Sequence, residues 1–238
     1  MLHMILLECA LELIPSEISA MKQVQKHAGR RGKKPGELLL DQSHHGREMT
    51  RLENGLQRGR PDIVFHSLMF LLETPLCKSG NLTMHLHLQD GRIIEVNPEV
   101  RLPRNYDRFV GLFEQLLVKG QVPVEGTPLL HVTNKTLPEL ISEFKKENSE
   151  AQSILAIENG SKTSIDSLQS IFPEDASIPV IVGVGAFPHG DFPSELKELF
   201  DTHIELDKEV MMAWHVCAEI LWVYSARVGV IKKRYLIT

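Results

Sequence analysis

The stretch Ile181-Val182-Gly183-Val184-Gly185-Ala186-Phe187-Pro188-His189-Gly190-Asp191-Phe192 joins an apolar run to a glycine-containing loop. We predict a buried strand over 179–184 and a binding loop after it, because ligands of open α/β sheets sit beyond the carboxyl ends of strands. The third glycine comes two residues too late for the dinucleotide fingerprint, and Asp191 and Phe192 stand where a phosphate loop needs Lys and Ser or Thr. An aspartate there repels phosphate. The loop therefore binds an uncharged or cationic ligand face, or is a tight turn without a ligand.

Strand-like and helix-like segments alternate on both sides of this loop. The apolar patterns predict strands at 129–132, 153–157, 179–184 and 202–206, and helices at 137–146, 164–171, 194–200 and 208–224. In the N-terminal half they predict strands at 4–14 and 38–41 and helices at 62–72 and 106–118. This alternation is typical of an α/β fold with a mostly parallel sheet that is covered by helices on both faces.

Two segments are predicted to stand apart from this sheet. Residues 81–97 alternate between apolar and polar side chains around the turn Gln89-Asp90-Gly91, which predicts a small β-hairpin insertion. Residues 26–36 combine glycines, a proline and a run of cations, which predicts an exposed basic loop. The chain as a whole, 1–238, is interpreted as one domain, since its length permits one sizeable core.

The charge is unevenly distributed along the chain. The formal net charge is -5, yet residues 22–60 hold ten basic and four acidic side chains, about +6, which leaves about -11 elsewhere. This asymmetry indicates a basic face for nucleic acid, or simply a solvated surface. The three cysteines lie far apart, so we expect no disulfides. No histidine pair has a carboxylate or cysteine beside it at the spacing of metal ligands, so we expect no metal site. The sequence contains no run of 18 apolar residues, so it predicts no membrane-spanning helix.

Arginines recur near two predicted helices. Arg60 precedes the helix at 62–72, and the carboxylate of Asp62 follows two residues later. Arg101, Arg104 and Arg108 are spaced by three and four, so that Arg104 and Arg108 share a face if the helix begins near residue 104. Guanidinium groups match phosphate oxygens and stack on bases. The set therefore indicates an RNA surface, with surface ion pairs as the alternative for any single arginine.

Three of these stretches resemble one protein family closely. They are Arg60-Pro61-Asp62-Ile63, the run from Leu71 to Gly80 (LLETPLCKSG), and the run from Ile94 to Arg104 (IEVNPEVRLPR). The family is the small-subunit ribosome-biogenesis methyltransferase known as nucleolar essential protein, or essential for mitotic growth. Residues 182–190 resemble its cofactor loop, and the similarity extends from about residue 5 to 225.

The resemblance implies a fold and an activity. The fold is the SPOUT class, in which the C-terminal part of a mostly parallel sheet is tied in a trefoil knot. The activity is methylation of N(1) of a pseudouridine in small-subunit ribosomal RNA, with S-adenosylmethionine as methyl donor and a role in small-subunit biogenesis. The partners implied are ribosomal RNA, a second copy of the chain and ribosomal proteins met during assembly, with no membrane.

The resemblance also assigns roles to single residues. The matched RNA contacts are Arg60, Arg101, Arg104 and Arg108, and Asp62 matches the carboxylate that holds Arg60. We expect Arg60, oriented by Asp62, to hold the target base or to offset charge on it in the catalytic step. The matched cofactor contacts are Ala156, Gly185, Gly190, Leu206, Asp207, Lys208, Glu209, Val210 and Met211. Val210-Met211-Met212 replaces a Pro-Leu-Ser-like opening of the last helix, so contacts there are expected from the backbone.

An apolar stripe on the last predicted helix bears on the oligomeric state. Val210, Trp214, Cys217 and Leu221 form an apolar stripe on the helix at 208–224, which the sheet or a second chain must cover. An RNA-binding assembly factor with secondary methylation, and a SPOUT enzyme for transfer RNA, are the alternative functions. The chain has no long N-terminal extension, which is typical of archaeal members; we expect a cytoplasmic location, or a nucleolar one in a eukaryote.

Overall fold

An eight-stranded sheet forms the frame of the fold in a computed structural model that describes residues 1–236. Its strand order is β4-β5-β3-β2-β1-β7-β6-β8. The pairs β1–β2, β1–β7, β7–β6 and β6–β8 are parallel, whereas β2–β3, β3–β5 and β5–β4 are antiparallel. The strands are β1 (Leu2–Cys9), β2 (Leu82–Leu88), β3 (Ile93–Val96), β4 (Gln121–Val122), β5 (Leu130–Thr133), β6 (Gln152–Lys162), β7 (Val180–Gly185) and β8 (Thr202–Glu205). The prediction of a mostly parallel α/β sheet is confirmed.

Eleven α-helices are described between and after the strands of this part of the chain. They are α1 (Ser16–Ser19), α2 (Lys22–Arg31), α3 (Gln42–Met49), α4 (Pro61–Leu72), α5 (Pro75–Lys78), α6 (Tyr106–Lys119), α7 (Leu137–Glu147), α8 (Ile165–Ile171), α9 (Ser194–Lys197), α10 (Ala213–Arg227) and α11 (Val230–Leu236). Local sequence sets several of their starts: Pro61 opens α4 at a position where a missing N–H costs nothing, and the side chain of Asn105 accepts the Arg108 amide at 3.1 Å to cap α6.

Both faces of the sheet are covered, as the alternating pattern predicts. Successive residues of β1 point to opposite faces, so Met4 and Leu6 pack in a core with α4, α6 and α10. Ile5 and Leu7 pack on the other face against α7 and the segment around α9. A smaller third cluster lies under α2 and α3. The carboxyl ends of the central parallel strands are left between these layers, where ligands of such sheets bind.

The predicted exposed basic loop at 26–36 is wrong for its first half, which is the end of α2. This helix ends at Gly32, whose φ of +61° is the left-handed conformation that closes helices. Arg31 and Lys33 then bind the carboxylate of Glu114, at 3.1 and 2.6 Å, and that carboxylate is only 2% exposed. The cations are thus partly structural, because a buried carboxylate of α6 requires them.

The segment 81–97 is a hairpin, but the prediction that it is an insertion is wrong. Its first strand pairs in parallel with β1, with Leu2 opposite Leu82, and its second strand pairs with β5. The hairpin therefore forms the centre of the sheet, and the apolar residues of β2 belong to the main core. The local alternation shows the two strands but not their long-range partners.

The helix predicted over 208–224 begins only at Ala213, after Met212 in extended conformation. Cys217 and Leu221 are fully buried in the core of the same chain, whereas Val210 lies before the helix and is 78% exposed. The predicted apolar stripe is therefore not one helix face, and its buried part packs on the chain's own sheet. The trefoil knot stays a prediction.

Candidate functional site

A cavity lies beyond the carboxyl ends of β6, β7 and β8. Ala156 of β6 is paired with Val184 of β7 and with Ile204 of β8, so the three strand ends converge on one place. The predicted cofactor residues that line this cavity are Ala156, Gly185, Gly190, Leu206, Asp207, Glu209, Val210 and Met211. Lys208 does not line it; its side chain is 87% exposed and its ammonium lies 3.9 Å from the Glu209 carboxylate.

One wall of the cavity is a bulge in β6 that the sequence patterns did not reveal. Ala156 and Ser161 both pair with Ile204, so the residues between them leave the sheet. Asn159 has a φ of +61°, and its amide donates to the carboxylate of Glu205 at 2.9 Å. Ile157, Glu158, Asn159 and Glu205 all line the cavity. The turn-forming triplet Glu158-Asn159-Gly160 is the only signal for this bulge in the sequence.

The loop after β7 forms the opposite wall. It is anchored to β1, because the Ala186 amide donates to the Leu7 carbonyl at 2.8 Å and the Ala10 amide donates to the Ala186 carbonyl at 3.0 Å. A Cβ on Gly185 would lie 3.0 Å from the ring of Phe192 and 3.1 Å from that of Phe187, two rings that also line the cavity. Gly190 has a φ of +100°, and a Cβ there would collide with the carboxamide of Gln57. A side chain at position 185 would therefore press on the two rings, and Gly190 is favoured by its left-handed φ.

The electrostatics of the cavity are strongly acidic. Glu158, Asp191, Glu205, Asp207 and Glu209 line it, and none of the described lining residues is Lys, Arg or His. Asp191 is paired closely with the Lys197 ammonium at 2.6 Å, which lowers the pKa of this carboxyl, whereas Glu209 has only the exposed Lys208 ammonium at 3.9 Å. Ala213 also lines the cavity, and it is the first residue of α10, where backbone N–H groups have no partner within the helix. Such a cavity disfavours phosphate and favours a ligand with cationic groups, hydroxyls and an apolar surface.

The predicted pair of Arg60 and Asp62 stands at the same edge of the sheet. The Arg60 amide donates to the Ala10 carbonyl at 2.9 Å, so its backbone is tied to the residue that also anchors the loop after β7. Its guanidinium donates to both oxygens of Asp62, Nε to Oδ1 at 2.8 Å and Nη2 to Oδ2 at 2.7 Å. This bidentate geometry fixes the arginine, and the hydrogen bond to Asp62 raises the pKa of Arg60.

A second cavity surrounds this pair. Gln42, Ser43, Phe65, His66 and Tyr106 line it together with Arg60 and Asp62. The Tyr106 hydroxyl donates to the buried Asp41 carboxylate at 2.9 Å, and burial raises the pKa of the phenol. The His66 ring lies 5.0 Å from that of Trp214 on α10, the helix whose first residue lines the acidic cavity. The cavity offers a polar wall with one fixed guanidinium and aromatic side chains beside it.

The other predicted arginines stay outside these two cavities. Arg101, Arg104 and Arg108 are exposed, and within residues 1–236 their guanidinium groups have no hydrogen-bond or ion-pair partner. The expectation that Arg104 and Arg108 share a helix face is wrong, because α6 begins at Tyr106 and Arg104 precedes it. Their side chains are therefore free to meet an anionic partner.

Residues 1–236 show neither a metal cluster nor a membrane-spanning helix. No group of three or more His, Cys, Asp or Glu side chains in this range is placed to hold a metal ion. No helix within the same residues is both long and apolar enough to cross a membrane.

The mostly parallel sheet and the acidic cavity beyond its strand ends define an α/β protein with a binding site for a ligand that carries cationic and apolar groups. The family model described as EMG1/NEP1 methyltransferase matches residues 4–224. The ribosomal RNA small subunit methyltransferase Nep1 of Staphylothermus marinus is 41% identical over 221 residues, 92% of this chain and 93% of its own length. The Nep1 of Thermococcus sibiricus is 42% identical over 225 residues, 94% and 98% of the two chains. The chain therefore belongs to the EMG1/NEP1 methyltransferase family.

A solved structure supports the same relationship. The crystal structure of Archaeoglobus fulgidus Nep1 bound to S-adenosylhomocysteine superimposes with a TM-score of 0.81 at 35% sequence identity, covering 95% of this chain and 98% of that one. The residues of the acidic cavity suit S-adenosylmethionine, since carboxylates could offset the charge of a sulfonium and an ammonium group and accept hydrogen bonds from ribose hydroxyls, and apolar side chains could pack against an adenine ring. The cofactor class expected from the sequence therefore fits the chemistry of the cavity.

Proposed function

We propose that this chain transfers a methyl group from S-adenosylmethionine to N(1) of a pseudouridine in small-subunit ribosomal RNA, as part of small-subunit biogenesis. The observation that carries the proposal is the position of the two cavities. The acidic cavity and the Arg60–Asp62 pair lie at one sheet edge, where the Ala10 backbone is hydrogen-bonded both to Ala186 of the loop after β7 and to Arg60. The names of the Nep1 relatives, small-subunit ribosomal RNA methyltransferases, supply the substrate class.

The acidic cavity would hold the methyl donor. When bound, S-adenosylmethionine supplies an activated methyl group on a positively charged sulfur. The backbone of the loop between Gly185 and Gly190 lines one side, and the bulge around Asn159 lines the other. Phe187 and Phe192, which line the cavity, would exclude water from its apolar part. The protein's contribution is then chiefly alignment of the methyl group with the acceptor nitrogen.

Arg60 would act on the target base. The N(1)–H of a pseudouridine must lose its proton before or during transfer, which leaves negative charge on the ring. The guanidinium, held in place by Asp62, is suited to offset that charge or to hold the base. Asp62 is not suited to be the base, because both of its oxygens already accept hydrogen bonds from the Arg60 guanidinium. The target must leave its stack to reach this cavity, as for other enzymes that modify bases.

Arg101, Arg104 and Arg108 would contact the RNA around the target. They are exposed and free of partners within the described residues, so they can meet phosphates or stack on bases. Cytoplasmic location and contacts with ribosomal proteins during assembly are further parts of the proposal, and they rest on the family relationship alone.

Methyl transfer from labelled S-adenosylmethionine tests the activity. Small-subunit RNA that contains its pseudouridine should accept label, whereas the same RNA with uridine at that position should not. Equal labelling of both RNAs contradicts the N(1) target. Labelling of transfer RNA instead supports the alternative substrate, and tight RNA binding without any turnover supports the assembly factor.

A homodimer is proposed from an exposed apolar patch formed by α8 and α10. Ile165 is 62% exposed and Trp222 45% exposed, and Ala218, Val223 and Ala226 lie in the same shallow groove. A contiguous apolar patch on two helices is typical of an interface, and a second copy can cover it symmetrically. Light scattering at micromolar concentration should give the dimer mass, and Trp222→Glu should give a monomer. Val118→Glu, at a residue 44% exposed on α6, is the matched control and should stay dimeric. A monomeric parent chain contradicts the dimer.

A further inference from the structure

A third cavity adjoins the one around Arg60 and Asp62. It is lined by Lys26, His27, Arg30 and Arg31 of α2, by His44 of α3 and by Asp107 of α6. Ser43 lines the cavity of Arg60 and the next residue, His44, lines this one; Tyr106 and Asp107 are divided in the same way. Consecutive Cα atoms are about 3.8 Å apart, so the two cavities are neighbours along α3 and α6.

The charge of this third cavity is positive. Glu114 neutralises only part of the charge of Arg31 and Lys33, because both cations share its single carboxylate. Lys26 and Arg30 are exposed and make no ion pair within residues 1–236. Asp107 is the one carboxylate among the described lining residues. Three cations against one carboxylate leave a surplus of positive charge, whereas the cofactor cavity is acidic.

A chain of hydrogen bonds fixes a neutral donor in the same cavity. The Asp41 amide donates to His45 Nδ1 at 3.1 Å, so the hydrogen of this ring is on Nε2, which lies 2.9 Å from His27 Nδ1. Burial lowers the pKa of His45 to about 4, so the ring is uncharged at neutral pH. His27 Nδ1 must then accept, which places the hydrogen of His27 on Nε2. His27 therefore offers an N–H donor without being protonated.

We propose that this third cavity binds a backbone phosphate of the RNA, next to the nucleotide whose base enters the cavity of Arg60. The inference rests on the proposed function, because it extends the path of the same RNA chain. Two cations without an ion-pair partner and an N–H donor are groups that bind a phosphate monoanion, and the neighbouring position of the two cavities places them near the base site. The Asp41–His45–His27 chain starts at the residue that also accepts the Tyr106 hydroxyl, so both cavities are held by one support.

The test compares two double variants that remove the same charge. Lys26→Gln/Arg30→Gln removes the free cations of the cavity, and Arg47→Gln/Arg51→Gln removes two exposed arginines that do not line it. Both are measured on pseudouridine RNA in which single phosphates flanking the target are replaced, one at a time, by uncharged methylphosphonate. All substituted side chains are exposed, so both variants should melt like the parent chain.

The parent chain should lose affinity by roughly tenfold at one flanking position, the effect of losing one charge-assisted contact. Lys26→Gln/Arg30→Gln should bind unmodified RNA roughly tenfold more weakly, lower the salt slope by about one, and show no further loss at that position. The control should keep the full loss there.

An equal loss at every position in both variants would show diffuse attraction and refute the phosphate site, even if the parent chain methylates the RNA. A parent chain that binds this RNA without methylating it refutes the proposed function instead. In that case the phosphate site is still supported if replacing one flanking phosphate lowers affinity only while Lys26 and Arg30 are present. The phosphate site is refuted if no flanking position behaves in this way.

Discussion

Asp62→Ala is predicted to weaken RNA binding although it removes a negative charge. Both side chains of the Arg60–Asp62 pair are 32% exposed, so the pair contributes only about 0.2–1 kcal/mol to folding and the variant should stay folded. The variant loses the hydrogen bonds that hold the Arg60 guanidinium in one orientation. Fixing a freed arginine in the complex costs about 0.5–1.5 kcal/mol.

The opposing electrostatic gain is smaller. A carboxylate about 6 Å from a phosphate repels it by roughly 0.7 kcal/mol in water, and screening at physiological salt reduces this to about 0.3 kcal/mol. The loss of orientation therefore dominates, and affinity should fall by a factor of about 1.4 to 8.

The Arg60→Ala background gives the sharpest measurement. There Asp62 has no arginine to orient, so Asp62→Ala should strengthen RNA binding slightly, by a factor of about 1.7. Fluorescence titration of one pseudouridine oligonucleotide with the four proteins of this double-mutant cycle measures both effects. The sign should reverse between the two backgrounds, because the pair acts as a unit. If Asp62→Ala binds more tightly in both backgrounds, Arg60 is one more positive charge and the assigned role of the pair is wrong.

Four further outcomes are expected. Gly185→Val should weaken calorimetric binding of S-adenosylhomocysteine roughly 5- to 100-fold by displacing Phe187 and Phe192, whereas Gly111→Val, with open space around it, should not; unchanged affinity would remove the loop from the site. Arg104→Ala should weaken a specific loop RNA by about 1–3 kcal/mol without a change in melting temperature, and equal weakening on unrelated RNA would argue against a defined contact. Removing both Arg31 and Lys33 should lower the free energy of unfolding by roughly 1–3 kcal/mol, since the buried Glu114 carboxylate loses its cations, and Glu114→Gln should restore part of it; no destabilisation contradicts the structural role. Burial lowers the pKa of His3 to about 3 and of His85 to about 4, so the unfolded chain binds more protons than the folded chain between pH 6.5 and 4. The free energy of unfolding should therefore fall as pH falls through that window, by about 1–2 kcal/mol for each ring at pH 5. A melting temperature that does not change from pH 7.5 to 5 contradicts this prediction.

The sequence predicted well the elements whose pattern is local. The strand at 179–184 and the helices at 62–72 and 106–118 match the structure within one or two residues, because burial on one face leaves a periodic pattern. The class of ligand was also readable, since the loop after β7 lacks phosphate-binding side chains. The individual cofactor and RNA roles came from the family resemblance, and the structure brings most of the proposed cofactor residues together around one cavity.

The failures share a physical cause, which is that distant partners decided the structure. Glu114 holds Arg31 across 83 residues, and no local pattern shows that a run of cations is needed by a buried carboxylate. The hairpin at 81–97 looked independent because its pairing with β1 is equally remote. The bulge of β6 was not predicted, because extra residues inside a strand interrupt the two-residue alternation by which strands are identified in a sequence. The third cavity needs α2, α3 and α6 together, so the histidines at 27, 44 and 45 carried no signal alone.

The bulge of β6 also makes the enzyme adaptable. Because pairing with β8 resumes at Ser161, residues 157–159 can change without shifting the register of the sheet. Gly160 is excluded from that freedom, since a Cβ there would lie 2.8 Å from the carbonyl carbon of Ile204. An engineer who wants this scaffold to accept S-adenosylmethionine analogues with bulkier transferable groups should therefore randomise Ile157 and Glu158, limit Asn159 to Gly or Asp because of its left-handed φ, and keep Gly160. The sheet supplies a fixed frame around a short, replaceable wall.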